Sequence, residues 1–174
     1  MEAHETAAAA DRTRWRLYWW VSLGIIVVDQ ITKAMVRSSL ALFENVPVIA
    51  GFLDLVHVRN EGVAFGLFNS VDMSYKWIFT TALAALALGG IAYYAMHVRL
   101  EERWARLGLS MILGGALGNL IDRVYAGYVI DFVDVYYGTW HFWAFNVADA
   151  SISLGAVLVF AELLVVKRHA SHSV

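Results

Sequence analysis

The 174-residue sequence has no cysteine, one proline and few charged residues. The missing cysteines exclude disulfides, thiolate metal ligands and a thiol nucleophile, so any chemistry must use oxygen or imidazole groups. Charged residues make up 16% of the chain, against about a quarter in an average soluble domain. The net charge of -2 gives no electrostatic reason to expect nucleic acid as a partner. With Pro47 as its single proline and no Gly/Ser-rich linker, the chain is expected to form one domain.

Apolar residues make up 60% of the chain, which predicts a membrane protein. A spanning helix needs about 20 mostly apolar residues. Four windows satisfy this requirement, at about 15–36, 77–96, 104–121 and 145–166. We therefore expect an all-α membrane protein with four transmembrane helices in a single domain over residues 15–166, flanked by tails at 1–14 and 167–174. The stretch up to about Arg14 is polar and is interpreted as a loose tail.

Basic residues are distributed unevenly around these windows. Eight of the thirteen flank the first window's start, the link between the second and third windows, and the fourth window's end. Short cytoplasmic loops collect Lys and Arg, so both termini are predicted to be cytoplasmic. The segments at about 37–74 and 122–144 then lie on the opposite side.

Both outer segments contain β-branched, partly alternating stretches. These stretches are 52–59, followed by a turn at 60–62 and an apolar run at 63–68, and 128–136. They predict a small extracytoplasmic β-sheet beside the four helices.

Polar residues occur in pairs at the outer ends of three windows. The pairs are Asp29 with Lys33, Asn119 with Asp122, and Asn146 with Asp149. Spacings of three or four residues put both members of a pair on one helix face, so the three polar faces are expected to meet near one leaflet. An ionisable residue in a span is costly, which makes each one a functional candidate.

Structural roles compete with functional ones at several of these positions. Asp29 and Lys33 are interpreted as an i,i+4 ion pair, and Gly114 with Gly118 as a small-residue face for helix packing. The histidines His57 and His141 are likewise interpreted as structural. Asp122 lies beside Arg123, so an ion-paired and a catalytic role are equally supported. Asp149 has no basic neighbour in the sequence, and a functional role is favoured for it.

The residue inventory restricts the chemistry further. The sequence contains neither His-Glu-x-x-His, typical of zinc proteases, nor Gly-x-Ser-x-Gly, typical of serine hydrolases. A pair of carboxylates sharing one proton can activate water without a metal. The residues alone leave Asp122, Asp131 and Asp134 as possible partners of Asp149. An extended strand would turn Asp131 and Asp134 to opposite faces, so one of the two at most can face the site.

Five stretches together resemble the lipoprotein signal peptidases (signal peptidase II), in order and in spacing, over about residues 24–159. They are Asp29-Gln-Ile-Thr-Lys33, Asn60-Glu-Gly-Val-Ala-Phe-Gly66, Gly114-Gly-Ala-Leu-Gly-Asn-Leu-Ile-Asp-Arg123, Val129-Ile-Asp-Phe132 and Phe145-Asn-Val-Ala-Asp-Ala-Ser-Ile152. The resemblance implies an aspartic peptidase of the bacterial inner membrane, with its site at the extracytoplasmic leaflet. Such an enzyme cuts prolipoproteins just before a diacylglyceryl-modified cysteine.

The resemblance also assigns roles to individual residues. The catalytic pair falls on Asp131 and Asp149. Residues expected to support the site or the substrate are Asp29, Lys33, Asn60, Gly62, Asn119, Asp122, Arg123 and Asn146. No metal or other cofactor is expected, and the implied partners are the prolipoprotein and membrane lipid. We expect the chain to act as a monomer.

Two other classes of function compete with the peptidase. A transporter could use the same carboxylates to relay protons, although four spans without a repeat are few for one. A scaffold subunit could use the polar residues only to bridge helices.

Overall fold

The computed structural model describes residues 2–62, 76–98 and 102–171, of which 2–17 and 165–171 are described for the backbone alone. Its elements, in chain order, are α1 Glu2–Ser39, β1 Asn45–Ile49, β2 Leu53–Asn60, α2 Lys76–His97, α3 Arg103–Ala126, β3 Val129–Tyr137, β4 Trp140–His141 and α4 Val147–Ser171. Each of these helices contains a stretch long and apolar enough to cross a membrane. The predicted fold class, four transmembrane helices with a small β-sheet, is confirmed.

The first helix begins earlier than the sequence indicated. Residues 2–14, interpreted as a loose tail, have a helical backbone that continues into the span Tyr18–Ser39. Four consecutive alanines at 7–10 account for this difference, because alanine has the highest helix propensity.

The third helix ends later than predicted. We placed Asp122 and Arg123 at the start of an outer segment, but both lie in α3, which continues to Ala126. The helix stops at Gly127, whose φ of 79° is left-handed and whose N–H donates to the carbonyl of Arg123 at 3.0 Å. Charged residues did not end this helix because both point to partners inside the protein, which are described below.

α3 is the central helix of the bundle. Half of its span is buried, against 11–22% of the other three spans, and it packs against each of them. Glycines allow the close approach: a Cβ on Gly114 would lie 2.8 Å from the carbonyl oxygen of Ser22 in α1. A Cβ on Gly118 would lie 2.6 Å from the carboxylate of Asp29. The packing role predicted for these two glycines is therefore confirmed, and Gly118 also makes room for a buried charge.

The four strands form one antiparallel sheet in the order β1-β2-β3-β4. β2 pairs with β3 from Leu53 opposite Val135 to Asn60 opposite Val129, so the two outer segments meet in this sheet. Val36 near the end of α1 packs on Ile130 and Phe132 of β3 and fixes the sheet to the bundle. The sequence did not predict β1, and the apolar run 63–68 lies outside the described residues.

Candidate active site

Asn146 organises the start of α4. Its side-chain oxygen accepts the backbone N–H of Asp149 at 2.9 Å, while a carboxylate oxygen of Asp149 accepts the backbone N–H of Asn146 at 3.3 Å. This reciprocal arrangement is a capping box, which satisfies two of the N–H groups that a helix start leaves unpaired. The backbone N–H of Ala148 donates to Asp29 of α1 at 2.9 Å. Local helix capping therefore fixes the position of the Asp149 carboxylate.

Asp131 lies on β3 and is buried, with 2% of its surface exposed. One carboxylate oxygen accepts a hydrogen bond from the amide of Asn60 on β2 at 3.0 Å, and the other accepts one from Asn146 at 2.7 Å. The same Asn146 amide also donates to the carbonyl of Ile130 at 3.2 Å. One residue, Asn146, thus contacts the carboxylates of both Asp131 and Asp149.

Asp149 accepts a hydrogen bond from the amide of Asn119 at 2.8 Å. The amide oxygen of Asn119 accepts hydrogen bonds from the ammonium group of Lys33 at 2.8 Å and from Asn146 at 3.3 Å. Lysine has donors only, so the amide of Asn119 must turn its oxygen to Lys33 and its N–H₂ to Asp149. Lys33 therefore orients the group that donates to Asp149.

Lys33 is the centre of a buried ion network. It is 2% exposed and lies 2.8 Å from Asp29 and 2.7 Å from Asp122. The predicted pairing of Asp29 with Lys33 is present, and Asp122 extends it from α1 to α3. A buried cation needs such partners because an unpaired charge in a low-dielectric interior is strongly unfavourable.

Arg123 connects α3 to the end of β2. Its guanidinium donates to the carbonyl of Gly62 at 2.8 Å and to the carbonyl of Asn119 at 3.4 Å. The N–H of Gly62 in turn donates to the side chain of Asn60 at 3.0 Å, which orients the Asn60 amide toward Asp131. Arg123 and Gly62 therefore hold the wall of the site formed by the sheet.

Burial and the neighbouring charge of Asp149 raise the pKa of Asp131 to about 7, well above the ordinary value of a carboxyl group. Hydrogen bonds from Asn60 and Asn146 and the charge of Lys33 oppose this rise in pKa. The side chain is therefore about half protonated at pH 7 and mostly protonated below it, near a second carboxylate. A protonated and an ionised carboxyl group side by side can act as acid and base on one substrate.

The other two carboxylates that sequence analysis considered as partners of Asp149 bind other groups. Asp134 is three residues beyond Asp131 on the same strand and pairs with His141 at 2.8 Å. Asp122 binds Lys33 and the amide of Gln30, the latter at 3.1 Å. The three predicted polar faces do meet, and every residue singled out as supporting the site has a contact within it.

Sequence analysis did not single out Gln30. Its amide donates to the carbonyl of Gly118 at 3.2 Å as well as to Asp122, and so joins α1 to α3. An amide next to Asp29 inside an apolar window was the signal that could have identified it, because uncharged polar groups in spans commonly bridge helices.

Known proteins resemble this chain over most of its length. The sequence model of the family described as signal peptidase (SPase) II matches residues 21–165. A lipoprotein signal peptidase of Maridesulfovibrio salexigens is 44% identical over 136 residues, which cover 78% of this chain and 87% of that protein. Another, of Geobacter sulfurreducens, is 41% identical over 150 residues, covering 86% and 92%.

Solved structures agree with the sequence comparison. A structure described as a bacterial membrane enzyme, at 2.3 Å resolution, has a TM-score of 0.73 and 29% identity, covering 85% of this chain and 87% of that one. A second structure with the same description, at 1.9 Å resolution, has a TM-score of 0.74 and 27% identity, covering 85% and 92%. The chain therefore belongs to the signal peptidase II family of aspartic peptidases and is a multi-pass protein of the bacterial inner membrane.

Proposed function

We propose that this protein removes signal peptides from prolipoproteins, cutting just before the diacylglyceryl-modified cysteine, with Asp131 and Asp149 as the catalytic pair. The observation that carries this proposal is the asparagine bridge: Asn146 donates its side-chain amide to Asp131 at 2.7 Å and its backbone N–H to Asp149 at 3.3 Å. The curated relatives that match the chain are named lipoprotein signal peptidases.

Different surroundings favour different roles for the two aspartates. Asp131 has two neutral amide donors, and its raised pKa of about 7 leaves a large share of it protonated at neutral pH. Asp149 accepts from Asn119, which Lys33 orients and polarises. We assign Asp149 as the general base and Asp131 as the general acid.

The reaction then follows from these roles. Water attacks the scissile carbonyl carbon as its proton passes to Asp149, and the proton of Asp131 passes to the carbonyl oxygen. Collapse of the resulting diol breaks the C–N bond. The proton on Asp149 moves to the leaving nitrogen, and Asp131 recovers a proton from the diol, so both groups return to their starting states.

The position of the site suits a lipid-modified substrate. Asp149 lies in the first turn of a span and Asp131 on a strand outside the spans, so we place the pair at the membrane boundary. We propose that this boundary is on the extracytoplasmic side, with both termini cytoplasmic, because basic residues are concentrated at the opposite ends of the spans. A diacylated cysteine keeps its acyl chains in lipid and presents the peptide bond at this depth. Because the described groups of the proposed site all come from one chain, we propose that the enzyme acts as a monomer.

Substitution of single carboxylates tests the assignment. Asp131→Asn and Asp149→Asn are each expected to abolish cleavage of a purified diacylglyceryl-modified prolipoprotein, measured by mass spectrometry of the products. Asp134→Asn is the matched control, because this carboxylate is on the same strand but bonds to His141. Cleavage at the wild-type rate by either of the first two variants would refute the catalytic pair.

The substrate itself tests the finer assignment. The same prolipoprotein without its diacylglyceryl group is expected to remain uncut by the wild-type protein. Equal cleavage of the modified and unmodified forms would contradict recognition of the lipidated cysteine and leave the aspartate pair unaffected.

A further inference from the structure

Both edges of the four-stranded sheet carry large apolar side chains that the described protein does not cover. Every residue of β1 is exposed, and Phe43 just before it and Phe52 just after it are 75% and 51% exposed. At the opposite edge, Trp140 and Trp143 are each 64% exposed. Soluble proteins seldom leave such contiguous patches uncovered, and these mark contact surfaces.

The inner strands differ from the edges. β2 and β3 contain buried residues, and they carry Asn60 and Asp131 of the proposed site. The sheet therefore has a buried centre, held on the helix bundle, between two exposed apolar margins.

Each margin continues directly from a membrane span. Phe43 lies four residues after Ser39, where α1 ends, and Trp143 lies four residues before Val147, where α4 begins. The lipid-facing surface of the spans is also apolar and exposed, for example at Met35 (61%) and Leu154 (59%). The two margins thus extend a surface that already faces lipid.

Phe43 has an unusual backbone that supports this interpretation. Its φ is 65°, a left-handed conformation that bulky L-residues rarely adopt. Two bonds hold the turn: the N–H of Phe43 donates to the carbonyl of His57 at 2.8 Å, and the N–H of Ala41 donates to the carboxylate of Glu44 at 2.6 Å. The turn keeps the phenyl ring at the surface of the described fold, with 75% of the residue exposed.

We propose that both edges of the sheet insert into the lipid of the leaflet in which α1 ends and α4 begins, at the boundary between headgroups and acyl chains. Tryptophan, tyrosine and phenylalanine at such positions are typical of membrane interfaces. A second copy of the chain is a poorer occupant, because Pro47 in β1 lacks the N–H that pairing between edge strands uses. Anchoring at two sides sets the depth of the sheet, and with it the depth of Asp131, relative to the bilayer.

The absence of cysteine allows a direct measurement of depth. Single variants Phe43→Cys and Trp140→Cys of the full chain are labelled with a nitroxide and placed in nanodiscs of phosphatidylethanolamine and phosphatidylglycerol. Collision of the label with oxygen, which concentrates in lipid, is compared with collision with a water-soluble nickel complex. Leu86→Cys in the middle of α2, where the side chain is 75% exposed, is the lipid reference, and Glu61→Cys, at a carboxylate that is 60% exposed, is the water reference.

Both edge labels are expected to give an oxygen-to-nickel ratio severalfold above that at position 61 and below that at position 86. A ratio at either edge equal to that at position 61 would overturn the proposal. Shielding from both reagents would also overturn it, because it would show that protein covers the edge. Phe52→Cys and Trp143→Cys repeat the measurement at each edge if either first variant fails to fold. The measurement involves no substrate, so its outcome is independent of the proposed peptidase activity.

Discussion

Replacing Lys33 with methionine tests whether the buried ion network holds the bundle together. Methionine keeps most of the aliphatic volume but removes the ammonium group. Asp29 and Asp122, at 2.8 and 2.7 Å from that group, lose their cation, and Asn119 loses the donor that orients its amide. Both the fold and the site are therefore affected by one substitution.

The expected loss of stability is large because the remaining charges are buried. The side chain of Asp29 is fully buried and that of Asp122 is 12% exposed. Removing one member of a buried ion pair costs about 3–5 kcal/mol. Asp29 retains bonds from Ala148 and Gln30, which places the expected loss within this range rather than above it.

Lys76→Met is the matched control. Lys76 is also buried, but its contact with Glu61 is longer, at 3.5 Å, and that carboxylate is 60% exposed, so this pair is expected to contribute less to stability than the fully buried network of Lys33. The free energy of unfolding of both variants is measured by titration of micelles with sodium dodecyl sulfate. A second variant, Lys33→Met with Asp122→Asn, removes one of the uncompensated charges and is expected to recover part of the loss. If Lys33→Met destabilises the protein no more than Lys76→Met does, the proposed importance of the network is wrong.

Three further predictions concern pH, packing and capping. The pKa of Asp131 is about 7 in the folded protein and that of an exposed aspartate is about 3.9, so the contribution of the protonated form to stability is complete below about pH 4 and is lost as pH rises through about 7. kcat/KM should also fall as pH rises through about 7. Unfolding profiles of Asp131→Asn should lack this pH dependence. Gly115→Ala places a Cβ against the backbone carbonyl of Ala148 and should destabilise the protein by about 1–3 kcal/mol. Gly90→Ala, whose Cβ would have nothing within 4 Å, should not destabilise it, and equal effects of the two variants in thermal unfolding would contradict the packing of α3 on α4. Asn146→Ala removes the helix cap and should lower the free energy of unfolding by about 0.5–2 kcal/mol, and it should also reduce kcat. Asn146→Asp should restore the cap but not the activity, and full activity of the alanine variant would exclude a positioning role for Asn146.

The sequence was sufficient to predict elements that follow from local chemistry. The four spans were recognisable because lipid requires long apolar helices, and the observed α2, Lys76–His97, differs from the predicted one by one residue at each end. The i,i+4 spacing of Asp29 and Lys33 was enough to predict their ion pair.

Features that depend on distant partners were not predictable in the same way. The end of α3 was misplaced because Asp122 is compatible with a span only through Lys33, 89 positions earlier in the chain. β1 was missed because Pro47 and full exposure give its five residues no alternating pattern. The residues alone could not choose between Asp131 and Asp134, because the register of β3 against β2 decides which of them meets Asn60 and Asn146.

Because of the capping box at the start of α4, the proposed site can form only when the helix bundle itself forms. Asp149 completes the cap of its own helix, and the next free N–H of that helix is taken by Asp29 from the first span. Asp131, meanwhile, is held by an asparagine in the same cap. A chain that is only partly inserted, with its fourth span still to come, contains Asp131 and the Lys33 network but lacks the second carboxylate. With Asp131 and Asp149 as the proposed catalytic pair, we expect no protease activity until the last helix packs against the first.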